Sequence, residues 1–162
     1  MEIICVASRR ASQPDRHTPE QRRHNMSRIR SRDTKPELQL RRALHAAGFR
    51  YRLHDRRLPG TPDLVLPARS AVIFVHGCFW HGHDCALGVT PNTRTDFWEA
   101  KIQANQARDA AAEAALRDAG WRVLTVWECA LRGRRRLPFE EVIRRGSDFL
   151  RSDEPTLIIR GD

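Results

Sequence analysis

The feature that most constrains this chain is an apolar strand that runs directly into a loop of cysteines, histidines and large aromatic rings. Residues 71–75 are all apolar and lead to His76, and residues 77–86 read Gly-Cys-Phe-Trp-His-Gly-His-Asp-Cys-Ala. Cysteine and histidine bind transition metals, and histidine also transfers protons near neutral pH. A buried strand that ends in such a loop predicts a functional site at one edge of a sheet.

Local patterns along the chain predict alternating helices and strands. Thr34, Pro36 and Glu37 are typical of a capped first helical turn, and Gly48 ends that helix. Thr95 is the expected cap of a second, long helix. Strands are predicted over 49–53, 64–66, 71–75 and 121–127, and helices over about 34–48, 95–119 and 138–150. This order predicts one compact α/β domain.

The ends of the chain lack such periodicity. We expect a flexible basic leader over residues 1–18, a folded domain over 19–151 and a C-terminal tail over 152–162. Residues 19–33 contain many arginines and can form a short helix. That helix is either an arm along a phosphate backbone or a solvated charged surface.

Charge favours a polyanionic partner. The chain has 29 basic and 20 acidic residues, a net charge of +9, and 27 of the basic residues are arginine. A net positive charge attracts nucleic acid by electrostatic steering and by the release of counterions from the phosphate backbone. No run approaches the roughly 18 apolar residues of a membrane span, and the order of charges near the start is wrong for a secretory signal. We expect a cytoplasmic protein whose four cysteines are thiols or metal ligands.

Three cysteines and a histidine have the residue types of a structural zinc site. Cys78, His83 and Cys85 lie on one short loop, and Cys129 ends the strand that follows the long helix. Thiolate and imidazole ligands in a closed set of four are typical of tetrahedral zinc. The spacing does not separate His83 from His81, and unconnected thiols are the alternative to a metal site.

A second set of residues has the chemistry of metal-assisted hydrolysis. Asp63 begins an apolar strand, and a carboxylate there can bind Mg²⁺. Glu37 is either a second oxygen ligand or a capping-box residue. His76 and His81 remain available as proton acceptors if His83 binds zinc. Carboxylates, Mg²⁺ and a base can cleave a phosphodiester bond.

Four ordered blocks of sequence resemble the very-short-patch repair (Vsr) family of DNA mismatch endonucleases, from about residue 18 to residue 149. The blocks are Leu58-Pro-Gly-Thr-Pro-Asp63, Val72-Ile-Phe-Val-His-Gly-Cys-Phe-Trp-His81, Thr93-Arg-Thr-Asp-Phe-Trp98 and Gly120-Trp-Arg-Val-Leu-Thr-Val-Trp-Glu-Cys-Ala-Leu-Arg-Gly133. The resemblance implies a restriction-endonuclease-like core, with a central mixed β-sheet flanked by helices and a structural zinc. It also implies a Mg²⁺-dependent, strand-specific nick beside the thymine of a T·G mismatch formed by deamination of 5-methylcytosine.

The resemblance assigns roles to individual residues. Asp63 corresponds to the central catalytic carboxylate and metal ligand, and Glu37, His76 and His81 to groups that contact waters around the metal, with His81 as the base. Asp109 corresponds to a carboxylate that supports the histidines. The implied zinc ligands are Cys78, His83, Cys85 and Cys129.

The resemblance also covers a backbone ligand and a set of aromatic rings. Val75 would offer its backbone carbonyl to Mg²⁺, although the family is expected to have threonine there. The Glu-x-Lys signature of related nucleases is absent from this strand, as is normal for the family, and Gly82 and Asp84 replace frequent histidines. The rings that correspond to intercalating aromatics are Phe79, Trp80 and Trp98; by itself, Trp98 also fits a core position.

The implied partner is double-stranded DNA with a T·G mismatch. We also expect a functional link to a cytosine-5 DNA methyltransferase, contacts with mismatch-repair proteins, and a monomer that acts at the nucleoid. Two other hypotheses fit part of the pattern. One is a zinc-stabilised DNA-binding module without catalysis, and the other is a restriction-type enzyme that cuts both strands of undamaged DNA.

Overall fold

The computed structural model describes residue 18 and residues 20–21, 23–24, 32–92 and 94–161. The predicted leader and most of the predicted arm helix lie outside these residues. The described elements are α1 (Lys35–Ala46), β1 (Arg52–Leu53), β2 (Leu64–Leu66), a 3₁₀ turn (Pro67–Arg69), β3 (Ala71–His76), α2 (Thr95–Asp118), β4 (Arg122–Trp127), α3 (Glu128–Leu131), α4 (Phe139–Arg151) and β5 (Thr156–Ile159). Among the described helices, none has the length and apolar character needed to span a bilayer.

The five described strands form one mixed sheet in the order β1-β2-β3-β4-β5. The pairs β1–β2 and β2–β3 are antiparallel, whereas β3–β4 and β4–β5 are parallel. Alternate residues point to opposite faces of the sheet. One face packs in a core with buried residues of α1 and α4, and the other packs against Leu116 of α2. The predicted α/β class, with a mixed sheet between helices, is confirmed.

Strand direction brings the site residues to one edge of this sheet. Because β3 and β4 are parallel, their last residues His76 and Trp127 lie side by side. Because β2 is antiparallel to β3, the residue before its start, Asp63, lies at the same edge. The loop after β3 and the residues after β4 therefore begin next to Asp63.

Two local predictions differ from the structure near helix and strand ends. Thr34 caps α1 as predicted, since its side chain accepts a hydrogen bond from the Glu37 N–H. The prediction that Thr95 caps α2 is wrong: Arg94 is the cap, at φ +55°, and Thr95 is the first helical residue. The Thr95 hydroxyl donates to the carbonyl of Asn92. The predicted strand over 49–53 is shorter and covers Arg52–Leu53.

The prediction that residues 152–162 form a tail is wrong for Thr156–Ile159, which is strand β5. Its pairing with β4 satisfies backbone groups, and Ile159 is fully buried. Beyond the strand, the N–H of Gly161 donates to Cys129 Sγ at 3.3 Å. The strand Thr156–Ile159 is thus part of the sheet, and the residues after it reach Cys129, one of the candidate zinc ligands.

Candidate active site and metal centre

Four ligand-type side chains meet beside the ends of β3 and β4. The candidate ligand atoms of Cys78, His83, Cys85 and Cys129 all lie within 4.8 Å of one another. His83 Nδ1 lies 3.7 Å from Cys129 Sγ. Nitrogen and sulfur ligands at tetrahedral angles around zinc would be about 3.6 Å apart. The structure therefore groups the four residues named from the sequence, and it places His83 rather than His81 among them.

The environment of this cluster fits a soft divalent cation. His83 Nε2 is buried without a hydrogen-bond partner among the described residues, 3.7 Å from Asp84 Oδ1. Burial raises the pKa of the Cys78 thiol and lowers the pKa of His83. Buried sulfur and imidazole donors without enough partners of their own are the donor set that zinc takes in structural sites.

Asp63 faces the end of β3. Its Oδ2 accepts a hydrogen bond of 2.7 Å from the Val75 N–H. The N–H and C=O of one strand residue point to the same side, so the Val75 carbonyl faces the same edge. Burial raises the pKa of Asp63 to about 6; the Val75 hydrogen bond opposes this rise, and the Glu37 carboxylate adds to it. A hard cation would relieve the repulsion between these carboxylates.

Glu37 reaches the same edge from α1 and is only 1% exposed. Although its N–H is bonded to Thr34, its carboxylate does not complete a capping box with that residue. Oε1 instead lies 3.0 Å from Arg41 Nη1 and 3.2 Å from His54 Nε2. Glu37 is thus a buried carboxylate near Asp63, as a metal-site role requires.

His54 is a site residue that the sequence analysis missed. Its Nδ1 lies 3.7 Å from Asp63 Oδ1, so its ring stands between the carboxylates of Asp63 and Glu37. The 3.2 Å contact with Glu37 lacks hydrogen-bond alignment, and Nε2 has no other partner among the described residues. Because His54 lies outside any helix or strand, just after β1 and at φ +48°, no periodic pattern marks it.

Two histidines and a carboxylate form a third group. The rings of His76 and His81 are stacked, 3.9 Å apart and 1° from parallel. His81 Nδ1 lies 2.5 Å from Asp109 Oδ2, a residue of α2. Burial lowers the pKa of His76 to about 4, so this ring is neutral at neutral pH. Although burial alone would raise the pKa of Asp109, its hydrogen bond with His81 lowers it.

This geometry suits His81 to proton transfer. A carboxylate on Nδ1 fixes the ring orientation and leaves Nε2 as the proton acceptor. The histidine pair and Asp63 are linked through β3: His76, whose ring stacks on His81, directly follows Val75, whose N–H donates to Asp63. The arrangement can place a carboxylate, a cation and a base around one phosphate.

The loop between β3 and α2 is held by residues that the sequence analysis did not identify. Asn105 Nδ2 donates to the Trp80 carbonyl at 2.7 Å, and Gln106 Nε2 donates to the carbonyls of His81 and Gly82. Asn105 and Gln106 are adjacent polar residues one turn before Asp109 on α2. This position is the sequence feature that could have indicated a contact with the loop.

Gly82 explains why two histidines so close in sequence serve different groups. It lies at φ +63°, and a Cβ there would approach Ile102 Cγ2 to 2.5 Å. Glycine allows this left-handed turn against α2. The turn directs His81 towards Asp109 and His83 towards Cys129.

An aromatic cluster lies beside the histidine pair. Phe79 contacts Trp80 and Trp98 with ring centroids 4.9 and 5.2 Å apart. All three rings are half-buried, so Trp98 is not a core residue. A cavity of about 660 Å³ separates this cluster from the strand ends, and its lining includes Trp80, His81 and Arg132.

Comparison with known proteins gives consistent matches. Residues 14–87 match the family model described as DNA mismatch endonuclease Vsr. The type II nicking enzyme V.XorIIP of Xanthomonas oryzae pv. oryzae is 56% identical over 117 residues, which cover 72% of this chain and 86% of the relative. The DNA mismatch endonuclease Vsr of Escherichia coli is 46% identical over 136 residues, which cover 84% of this chain and 87% of the relative.

Proposed function

The chain belongs to the Vsr family of DNA mismatch endonucleases, and on this basis we propose that it nicks one strand of duplex DNA beside the thymine of a T·G mismatch. The observation that carries the proposal is the convergence of Asp63, the His81–Asp109 pair and the aromatic cluster at one sheet edge. Such an edge combines the groups that hydrolyse a phosphodiester with rings that can test base stacking.

Each group has a distinct role in this proposal. Asp63 and the Val75 carbonyl would hold Mg²⁺, and the buried Glu37 carboxylate would contact waters around it. When bound, Mg²⁺ supplies positive charge that stabilises the negative charge developing on the phosphate. His81 accepts the proton of the attacking water, and Asp109 fixes the His81 ring. The water oxygen bonds to phosphorus as the P–O3′ bond breaks, and O3′ takes a proton from solvent, so that the nick has a 5′-phosphate and a 3′-hydroxyl.

The cysteine cluster is structural in this proposal. Cys78, His83, Cys85 and Cys129 hold zinc and fix the ends of the loop that carries His81. The same loop carries Phe79 and Trp80, so one metal-fixed segment presents both the base and two of the rings.

The aromatic cluster provides discrimination between paired and mispaired DNA. Inserting a ring into a base step costs a few kcal/mol of unstacking, and the cost is lower at a mismatch. Phe79, Trp80 and Trp98 are half-buried against each other, which holds the rings ready before DNA binds.

We predict that His81→Ala lowers the single-turnover nicking rate by about 100-fold to 10,000-fold, because proton acceptance is lost. Asp109→Asn should lower the rate less, since the ring remains and only its orientation weakens. Rates are measured at saturating enzyme on one T·G duplex. Equal rates for His81→Ala and the unchanged protein would contradict the role of His81.

We predict that Trp98→Ala reduces the ratio of T·G to matched-duplex binding by about tenfold, because a large ring contributes about 1–3 kcal/mol to stacking. Equilibrium affinity for both duplexes is measured by fluorescence anisotropy. Phe139→Ala, which removes an exposed ring from α4, serves as the control. An unchanged ratio for Trp98→Ala would exclude Trp98 from mismatch recognition.

The proposal is tested by cleavage of a set of T·G duplexes that differ in their flanking bases, with matched duplexes beside them. We expect Mg²⁺-dependent nicking of T·G duplexes, with a flanking preference that follows the cytosine-5 methyltransferase to which we propose a link. Binding of T·G duplexes without cleavage would favour a DNA-binding module without catalysis. Cleavage of both strands of a matched duplex would favour a restriction-type enzyme. The proposed monomeric state and contacts with mismatch-repair proteins need separate association measurements.

A further inference from the structure

We propose that the arginine loop, residues 132–136, binds backbone phosphates of the DNA duplex beside the aromatic cluster. The loop reads Arg-Gly-Arg-Arg-Arg, and none of the roles proposed above uses it. The inference rests on the proposed function in that it takes duplex DNA as the ligand. It adds a surface that holds the duplex at the active-site cavity.

The position of the arginine loop is on the rim of that cavity. The loop follows α3, and Arg132 lines the 660 Å³ cavity together with Trp80 and His81. All five loop residues are exposed. A duplex that brings a phosphate to His81 would extend past this rim. The loop is thus placed to contact the backbone of the same duplex.

The loop backbone is fixed by its neighbours. The Leu137 N–H donates to the Ala130 carbonyl at 3.1 Å and closes the base of the loop, and both residues are buried. A Cβ added to Gly161 would lie 2.5 Å from the Arg135 carbonyl oxygen and 2.6 Å from that of Cys129. The segment after β5 therefore packs between the loop and the cysteine cluster. A fixed backbone reduces the ordering entropy that binding must overcome.

Three of the four arginines in the loop have no carboxylate partner among the described residues, although Arg136 Nη1 donates to the Gly133 carbonyl at 3.4 Å. Arg132 is paired with Glu128 at 3.1 Å. Arg134, Arg135 and Arg136 make no ion pair with any described residue, in contrast to Arg144, which contacts two carboxylates of its own helix. Three adjacent guanidinium groups repel one another and attract anions. The guanidinium fork matches the oxygens of a phosphate, and a row of them matches a row of phosphates.

The test removes these three charges together. The variant R134Q/R135Q/R136Q and the unchanged protein are titrated with labelled T·G duplex without added Mg²⁺, at several KCl concentrations between about 50 and 200 mM. Since each phosphate contact contributes about 0.9 to the slope of log K against log salt, we expect the slope to fall by about 2–3. The dissociation constant at the highest salt should rise at least about tenfold.

The matched control also loses three arginines. R117Q/R144Q/R151Q removes exposed residues, and Arg117 and Arg151 lie at the opposite end of the sheet, near the start of β4. We expect its slope to change by less than about 1. R134K/R135K/R136K keeps the charge and should retain most of the slope. In Mg²⁺, the glutamine variant should show a raised KM with kcat at saturating DNA within about twofold.

The outcomes separate this inference from the proposed function. If the unchanged protein nicks T·G duplexes but R134Q/R135Q/R136Q keeps its slope and affinity, the loop does not contact DNA and the proposed function stands. The same conclusion follows if the control variant loses as much slope as the loop variant. If the unchanged protein neither binds nor nicks T·G duplexes, the proposed function itself fails.

Discussion

Asp63→Asn is expected to lower the rate of T·G nicking by at least about a thousandfold while leaving DNA binding within a few-fold of the unchanged protein. The amide keeps the size of the side chain and an oxygen that can accept the 2.7 Å hydrogen bond from Val75. It removes the negative charge with which Asp63 would hold Mg²⁺. The loss should therefore appear in the rate of the chemical step, measured at saturating enzyme.

The same substitution should stabilise the protein when no divalent cation is added. Asp63 has a pKa of about 6 in the folded protein because it is buried, compared with 3.8 for an ordinary aspartate. The folded protein thus holds this proton more tightly than the unfolded chain. The charged carboxylate lowers the free energy of unfolding above about pH 6, and this penalty disappears as the pH falls towards 4.

We expect Asp63→Asn to raise the free energy of unfolding by about 1–3 kcal/mol at pH 7–8 and by much less near pH 4. Denaturant unfolding at both pH values measures the difference, and Mg²⁺ should reduce it by stabilising only the unchanged protein. Asp55→Asn is the control. Its hydrogen bonds with Arg57 hold the pKa of Asp55 at about 2, so no gain is expected. A stabilised Asp63→Asn that nicks at the normal rate would exclude Asp63 as the metal ligand.

The second large effect is expected from the cysteine cluster. Cys129→Ser should remove bound zinc and lower the free energy of unfolding by on the order of 5 kcal/mol, because metal binding contributes directly to folding. For a domain of this size the melting temperature should fall by about 10–20 °C. Nicking should be lost as well, since the loop between Cys78 and Cys85 carries His81.

Zinc content and thermal unfolding measure this effect together. Metal analysis of the unchanged protein should give about one zinc per chain, and chelation should reproduce the instability of Cys129→Ser. Cys5→Ser alters a cysteine outside the proposed ligand set and should leave zinc content unchanged. A zinc-free preparation that folds, melts at the normal temperature and nicks DNA would contradict the structural role of the cluster.

The sequence predicts the elements that carry strong local signals. Thr34 and Gly48 bracket α1, and the apolar runs before His76 mark the buried strands that the structure confirms. The cysteine and histidine positions were identified because few other residue types provide that chemistry. Residue spacing does not show that His83 belongs to the cysteine cluster and His81 to the group with His76 and Asp109. That division depends on the left-handed turn at Gly82.

The features that the sequence did not reveal depend on tertiary contacts. His54 gains its position between two carboxylates only when α1 and β2 meet, so nothing near it in the chain marks it. Strand β5 is stabilised by its pairing with β4, a tertiary contact that the residues around it in the chain do not indicate. Arg94 caps α2 through a left-handed backbone conformation that side-chain preferences do not predict.

The most direct test of the proposed function is single-turnover cleavage of one T·G duplex labelled separately on each strand, with and without Mg²⁺. We predict one Mg²⁺-dependent nick on the thymine strand next to the mismatch, with 5′-phosphate and 3′-hydroxyl ends, and no product from the matched duplex at the same enzyme concentration. Cleavage of both strands, equal cleavage of the matched duplex, or full activity of Asp63→Asn would contradict the account.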